Sequence, residues 1–219
     1  KGFGDEFTSV ESLLLALLMV NSPASKIMKE AGLSEKELKA AIAGAYGTGF
    51  DCEAVAPMVK VGSWAHSLEL WHGPTSAFKD MALQMLPQLL SAALRKTGED
   101  KTVCILVATS GDTGKAALEG FKNVKGTRII VFYPAHGVSK VQELQMVTTD
   151  GDNTYVVGVE GNFDDCQSAV KEIFADRALE AVMEEHGYQF SSANSINWGR
   201  LLPQIVYYFV AYLNLVHQG

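Results

Sequence analysis

Three short polar stretches hold the residue types from which a reaction could be built. The first is His72-Gly73-Pro74-Thr75-Ser76-Ala77-Phe78-Lys79-Asp80, whose single lysine sits between an aromatic ring and the expected start of a helix. Partial burial there disfavours the ammonium form and makes the neutral amine available as a nucleophile; the plainer description is a surface lysine in a helix's first turn. The second is Ala108-Thr109-Ser110-Gly111-Asp112-Thr113-Gly114. Its glycines permit close backbone approach, and its hydroxyls and the N–H groups of a helix start suit an anion, although an ordinary strand-to-helix turn has the same composition. The third, Ser191-Ser192-Ala193-Asn194-Ser195-Ile196-Asn197-Trp198-Gly199-Arg200, gathers hydroxyls, amides and a guanidinium where a long helix is expected to begin. The planar fork of arginine matches phosphate and the helix dipole favours negative charge, while the alternative is an elaborate N-cap.

The elements around these stretches give a way to bring them together. Thr102–Ala108, 128–133 and 155–159 read as buried strands, with a shorter one at 188–191. Helices are expected between them at 114–121, 139–147 and 164–174, with another reaching Glu185 and a last one over 198–216. Continuous apolar strands alternating with helices predict an α/β fold, a parallel sheet with helices on both faces. In such a sheet the loops after the strands gather at the carboxyl edge, where ligands bind. Ahead of the sheet, residues 80–95 have a helical pattern that Pro87 should kink, and 51–70 read as a connection with one or two short strands. Residues 1–45 form a small helical N-terminal segment with three start signals: Thr8 with Glu11, Ser22-Pro23, and Ser34 with Glu37. The expected division is therefore 1–45, helical, and 46–219, α/β.

The strings themselves add a resemblance. Gly-Pro-Thr-x-Ala-Phe-Lys-Asp at 73–80, Ser-Gly-Asp-Thr-Gly at 110–114 and Asn-Ser-Ile-Asn-x-x-Arg at 194–200 stand in an order that resembles threonine synthases, which are fold-type II pyridoxal-phosphate (PLP) enzymes. The likeness runs from about 43 to 215. It implies that Lys79 carries pyridoxal 5'-phosphate and later moves protons as the catalytic residue. It also implies that Ser110, Gly111, Asp112 and Thr113 surround the cofactor. Thr75, Ser76, Ser139, Ser192, Asn194, Ser195, Asn197 and Arg200 would bind the substrate, O-phosphohomoserine, with the 194–200 string at its phosphate. The implied reaction is a lyase step of threonine biosynthesis: a carbanion at Cα delocalised by the cofactor ring, loss of phosphate from Cγ beside Asn194, Asn197 and Arg200, and addition of water at Cβ. Gly137-Val138-Ser139-Lys140-Val141-Gln142-Glu143 resembles a further family segment, except that the family usually has proline where Lys140 stands; that lysine is either a phosphate contact or a solvated helix-start residue. His72 is either a polar cofactor neighbour or a packed histidine, and Asp112 either bonds the cofactor or caps its helix.

Two other readings stay open. The same fold would serve a serine or threonine dehydratase-like PLP lyase. In contrast, Asp5 to Leu18 with Ala31-Gly32-Leu33 resembles the N-terminal domain of Clp-type AAA+ chaperones, so the chain can also be read as a binding module fused to an inactive remnant. Threonine synthases continue well past the position of Gly219, and that continuation is expected to hold the glycine-rich loop for the cofactor's phosphate. The PLP-enzyme-like region is thus expected to be incomplete and inactive alone.

Composition narrows the field from outside. Of 219 residues 47% are hydrophobic, enough for a substantial core. Eighteen basic against 25 acidic side chains give a net charge of −7 without any basic run, which argues against nucleic acid as a partner. Cys52, Cys104 and Cys166 are widely spaced, so neither a disulfide framework nor a metal site is expected. The longest apolar run, 13–20, is too short for a bilayer and lacks the flanks of a secretory signal, which predicts a soluble cytoplasmic protein; the small-molecule substrate is what the resemblance implies.

Overall fold

The computed structural model describes residues 34–218, together with Val10, Leu13 and Ala16 of the preceding segment, all three helical. The helices expected at Thr8–Glu11 and Ser22-Pro23, and the Clp-type likeness, otherwise lie outside the described residues. Helix α1 (Glu35–Tyr46) begins at the expected capping box: the Ser34 hydroxyl accepts from the Glu37 N–H at 3.2 Å, and the Glu37 carboxylate accepts from the Ser34 N–H at 2.7 Å. Its apolar face (Leu38, Ala41, Ile42 and Ala45) is buried in one cluster with Val10, Met81, Met85, Val206 and Val210. The Tyr46 hydroxyl fixes that packing by donating to the Met81 carbonyl at 2.6 Å. Strands β1 (Met58–Val61) and β2 (Ala65–Leu68) form an antiparallel ribbon turned by Gly62 at φ 70°.

The helix expected over 80–95 is two. α2 (Asp80–Leu83) ends at Gln84, and α3 (Met85–Thr97) starts anew. The break lies ahead of the proline rather than at it, and the reason is local. Restarting at Met85 puts Pro87 in a first turn, where its missing N–H removes no helix bond. The Leu83 carbonyl is left free of an N–H from residue 87, and Gly120 approaches it so closely that a Cβ there would fall 2.0 Å away.

The remaining elements are β3 (Thr102–Ala108), α4 (Asp112–Phe121), β4 (Thr127–Pro134), α5 (Lys140–Val147), β5 (Thr154–Val159), α6 (Phe163–Ala175), α7 (Arg177–Glu185), β6 (Tyr188–Ser192) and α8 (Trp198–Gln218). The four strands β3 to β6 make one sheet in the order β5-β4-β3-β6, parallel throughout. Alternation along β3 divides the core: Val103, Ile105 and Val107 join Ala116, Ala117, Leu118 and Phe121 of α4, while Cys104, Leu106 and Ala108 join Cys166 and Val170 of α6. Both faces are therefore covered, as the apolar strands predicted. α8 buries Val206, Tyr207 and Val210 against the α1 cluster and leaves Leu202, Ile205, Tyr208 and Phe209 exposed.

This winding creates the site. The chain runs from β3 to β4 to β5 in one direction, then returns to set β6 on the other flank of β3. The loops after β3 and β6 therefore leave adjacent parallel strands at the same carboxyl edge, where a crevice lies.

Candidate active site

Lys79 is the last residue before α2, at the end of a loop held from within by Asp80. Asp80 is fully buried and accepts from the Thr75 N–H at 2.9 Å, the Thr75 hydroxyl at 2.7 Å and the Ala77 N–H at 3.4 Å. Gly73 lies against it, since a Cβ there would meet the Asp80 Cβ at 2.5 Å. Ser76 sits at the tip with φ 55°. Burial pushes the Asp80 carboxyl above its ordinary range, and the bonds from Thr75 and Ala77 pull the other way. Of the predicted residues in this loop, Thr75 has its hydroxyl turned inward to Asp80 and Ser76 is exposed.

The Lys79 amine lies 4.2 Å from the centre of the Phe78 ring and 3.8 Å from an Asp112 carboxylate oxygen, an ion-pair contact longer than a hydrogen bond. Its side chain is 16% exposed. Burial holds the amine below the usual lysine range; Asp112 raises it and Arg200 lowers it further. Burial and a neighbouring cation both favour the neutral amine that a carbonyl requires.

In the second loop, Thr109 is the organiser that composition alone did not single out. Its buried hydroxyl accepts from the N–H groups of Gly111 at 3.0 Å and Gly114 at 2.9 Å. Those two N–H groups, which the sequence offered to an anion, thus have a partner inside the loop. Gly111 has φ 143°, and a Cβ on it would meet the Gln142 amide nitrogen at 2.4 Å. Asp112 does not cap its helix: one oxygen accepts from the Gln142 amide at 2.9 Å and the other faces Lys79. Ser139 caps α5 in a reciprocal box with Gln142, and Lys140 pairs with Glu143 at 2.9 Å on the solvent side. A helix's first residue is where proline is at home, which accounts for the family's preference at Lys140.

The third loop is bonded largely to itself. The Asn194 side chain donates to the Ala108 carbonyl at 2.9 Å and accepts from its N–H at 3.1 Å, which ties the end of β6 to the end of β3. Asn197 donates to the Ser192 carbonyl at 2.7 Å and accepts from the Gly199 N–H at 2.8 Å at the head of α8. The Ser192 hydroxyl accepts from the Asn194 N–H at 3.1 Å, and Ser195 is exposed. Arg200 is the exception. It is 5% exposed, one terminal nitrogen donates to the Ala193 carbonyl at 3.1 Å, and its buried Nε has no partner. No carboxylate among the described residues pairs with this guanidinium. Burial alone lowers its proton affinity, and an arginine still stays charged.

Arg200 also lines a cavity of about 410 Å³ at the carboxyl edge, together with Thr109, Ser110, Thr113, Ser192, Asn194 and Ser195, and with Phe163 and Phe174 of α6. Lys79, Thr75, Ser76 and Ser139 are outside that lining. The β3 and β6 loops thus share one cavity, and Arg200 couples it to Lys79. His72 stands apart, with its ring nitrogens 2.6 Å from Asp51 and 2.8 Å from Glu69, an arrangement that raises its proton affinity and is complete without a ligand.

No protein-family model matches the chain. Individual proteins do. Threonine synthase-like 1 from Homo sapiens is 46% identical over 181 residues, 80% of this chain and 24% of that protein. Threonine synthase from Pseudomonas aeruginosa is 45% identical over 183 residues, 84% of this chain and 37% of its own. Over the matched residues the chain belongs to the threonine synthase family. Among solved structures, the PLP-bound threonine synthase from Brucella melitensis superposes with a TM-score of 0.79 at 38% identity, covering 95% of this chain and 42% of that one. The fold is thus the fold-type II one expected. The chain spans about a quarter to two fifths of the length of these three relatives.

Proposed function

We propose that the chain is part of a PLP-dependent threonine synthase that converts O-phosphohomoserine to threonine and phosphate, with Lys79 carrying the cofactor. The observation that supports this reading above others is the pairing of a part-buried amine with a buried guanidinium that has no carboxylate partner. A lone buried cation costs several kcal/mol, and an anion supplied from outside the chain offsets that cost. Arg200 brings a positive charge that no carboxylate among the described residues pairs with, and Lys79 brings an amine whose neutral form is favoured. This donor set fits a ligand that brings both an aldehyde and phosphate.

The cofactor, bound through Lys79, would delocalise the negative charge left at the substrate's Cα. The chain's own residues do the rest. Lys79, kept from bulk water by Phe78 and the Asp80-braced loop, holds and moves the proton at Cα and then at Cβ. Asp112 balances the charge on Lys79 when that amine is protonated. Arg200, with Ser192 and Ser195 on the cavity wall, holds the phosphate that leaves from Cγ. Asn194 and Asn197 act by fixing the loop's shape, because their amides already bond Ala108, Ser192 and Gly199.

Arg200 favours a phosphorylated substrate over the hydroxy-amino acids of a dehydratase. Against a separate adaptor-binding module, Val10 is buried with residues of α1, α2, α3 and α8. The test is reduction with borohydride in the presence of pyridoxal 5'-phosphate, followed by peptide mapping. The cofactor should be trapped on the Lys79 peptide, and lost from it in Lys79→Ala. Trapping spread over many exposed lysines, with Lys79 unmodified, would reject the assignment.

A further inference from the structure

Gln142 lies on α5, in neither of the loops that form the crevice, yet three observations converge on its side chain. Its amide nitrogen donates to an Asp112 oxygen at 2.9 Å, and its amide oxygen accepts from the Ser139 N–H at 3.1 Å. The backbone at Gly111 passes so close that a Cβ would meet that amide nitrogen at 2.4 Å and its carbon at 2.5 Å. The amide is therefore gripped at three points. It is fixed by its own helix start, seated against Gly111, and aimed at one oxygen of a carboxylate whose other oxygen is 3.8 Å from Lys79. Asp112 is more than half exposed and has no other side-chain bond among the described residues, so without this donor it is free to turn to water.

We propose that Gln142 is a positioning residue for the Lys79 amine: by holding Asp112 in a single orientation, it keeps one carboxylate oxygen opposite the Lys79 nitrogen. The claim builds on Lys79 as the functional amine but concerns the ligand-free protein. The charged groups acting on Lys79 are Asp112 from α4, Arg200 from α8 and Asp80 on its own element. Asp112 and Asp80 stabilise the ammonium form, while Arg200 and burial oppose it. Asp112 is the nearest of the acids and the one Gln142 can move. If Asp112 is released, the amine loses its closest anion and becomes neutral at lower pH.

The experiment is competitive labelling of lysines with acetic anhydride across a pH series, with each peptide quantified by mass spectrometry. It requires no cofactor and no activity. Gln142→Met keeps the length of the side chain and removes the amide. It should move the Lys79 labelling midpoint to lower pH by about half a unit or more, and leave Lys60 and Lys125 unmoved. In an Asp112→Asn background the same substitution should move nothing further. A role limited to capping α5 gives no shift, or the same shift in both backgrounds, and either result overturns the proposal. Should Gln142→Met fail to fold, Gln142→Asn withdraws the amide by one methylene and offers the same comparison. Cofactor trapping on a residue other than Lys79 would sink the functional reading while leaving this result standing, so the two failures can be told apart.

Discussion

Asp80 and Arg200 are both buried ionisable groups in the first turns of helices that flank one crevice, and they are treated in opposite ways. Asp80 has no exposed surface and is surrounded by three donors from its own loop. Arg200, 5% exposed, has one carbonyl acceptor and a buried nitrogen with nothing to bond. A buried charge whose hydrogen bonds are all local is a brace: it fixes the loop that contains it. A buried charge with donors left over is strained until something else arrives. The contrast separates residues that shape the crevice from those that act in it, and it does so without reference to residue type.

The sharpest way to break the contrast is to remove the brace. Asp80→Ala strands two backbone N–H groups and a hydroxyl in a part-buried loop, which should destabilise the protein by about 3 kcal/mol in denaturant unfolding. If the loss is under about 1 kcal/mol, Asp80 is not what holds residues 73–79. The opposite substitution should behave oppositely. Arg200→Met replaces a poorly partnered buried cation with an apolar chain of similar length, so the ligand-free protein should gain stability, by about 1 to 4 kcal/mol. Binding of O-phosphohomoserine should weaken by about 2 kcal/mol, roughly thirtyfold, from the loss of a charge-assisted contact. An unphosphorylated homoserine should be affected far less. Equal losses for both ligands, by calorimetry, would take the phosphate away from Arg200.

Much of this was legible from residue order, and the parts that were not have a common cause. β3 is bounded at Thr102 and Ala108 as its apolar run predicted, because a strand buried on both faces leaves no ambiguity in its pattern. The α1 start follows the capping box read at Ser34 and Glu37, a signal that is local in sequence. The hidden features are those in which a side chain's bond partner is remote. Nothing near Asn194 in sequence announces that its amide closes on Ala108, 86 positions away. Gln142 reaches Asp112 across 30 positions. The family strings pick out three loops whose residues the fold brings near one another, but they do not separate Asn194 and Asn197, occupied in building the loop, from Arg200, which is not. Two misses had readable signals. Asp80, five residues after Thr75, has the spacing of an acid folded back on its own turn, and Thr109 before two glycines has the pattern of a hydroxyl serving a tight turn.

The smallest effect is the one that probes the brace as a titrating group. The Asp80 carboxyl has its proton affinity raised by burial, the largest influence on it, with the bonds from Thr75 and Ala77 opposing. A carboxyl whose folded affinity exceeds its unfolded one binds its proton more tightly in the folded state. Its stabilising share is complete below the unfolded value near 3.8 and is lost as pH rises through the raised folded value. This is the reverse of an ion-paired carboxylate. The stability difference between wild type and Asp80→Asn, which cannot titrate, should therefore shift against wild type as pH climbs through the region just above the ordinary aspartate range, then level off. Denaturant midpoints for both proteins across that range give the sign directly. A difference that moves in favour of wild type with rising pH would mean that the three donors outweigh burial, and Asp80 would then be a brace that works as a full anion.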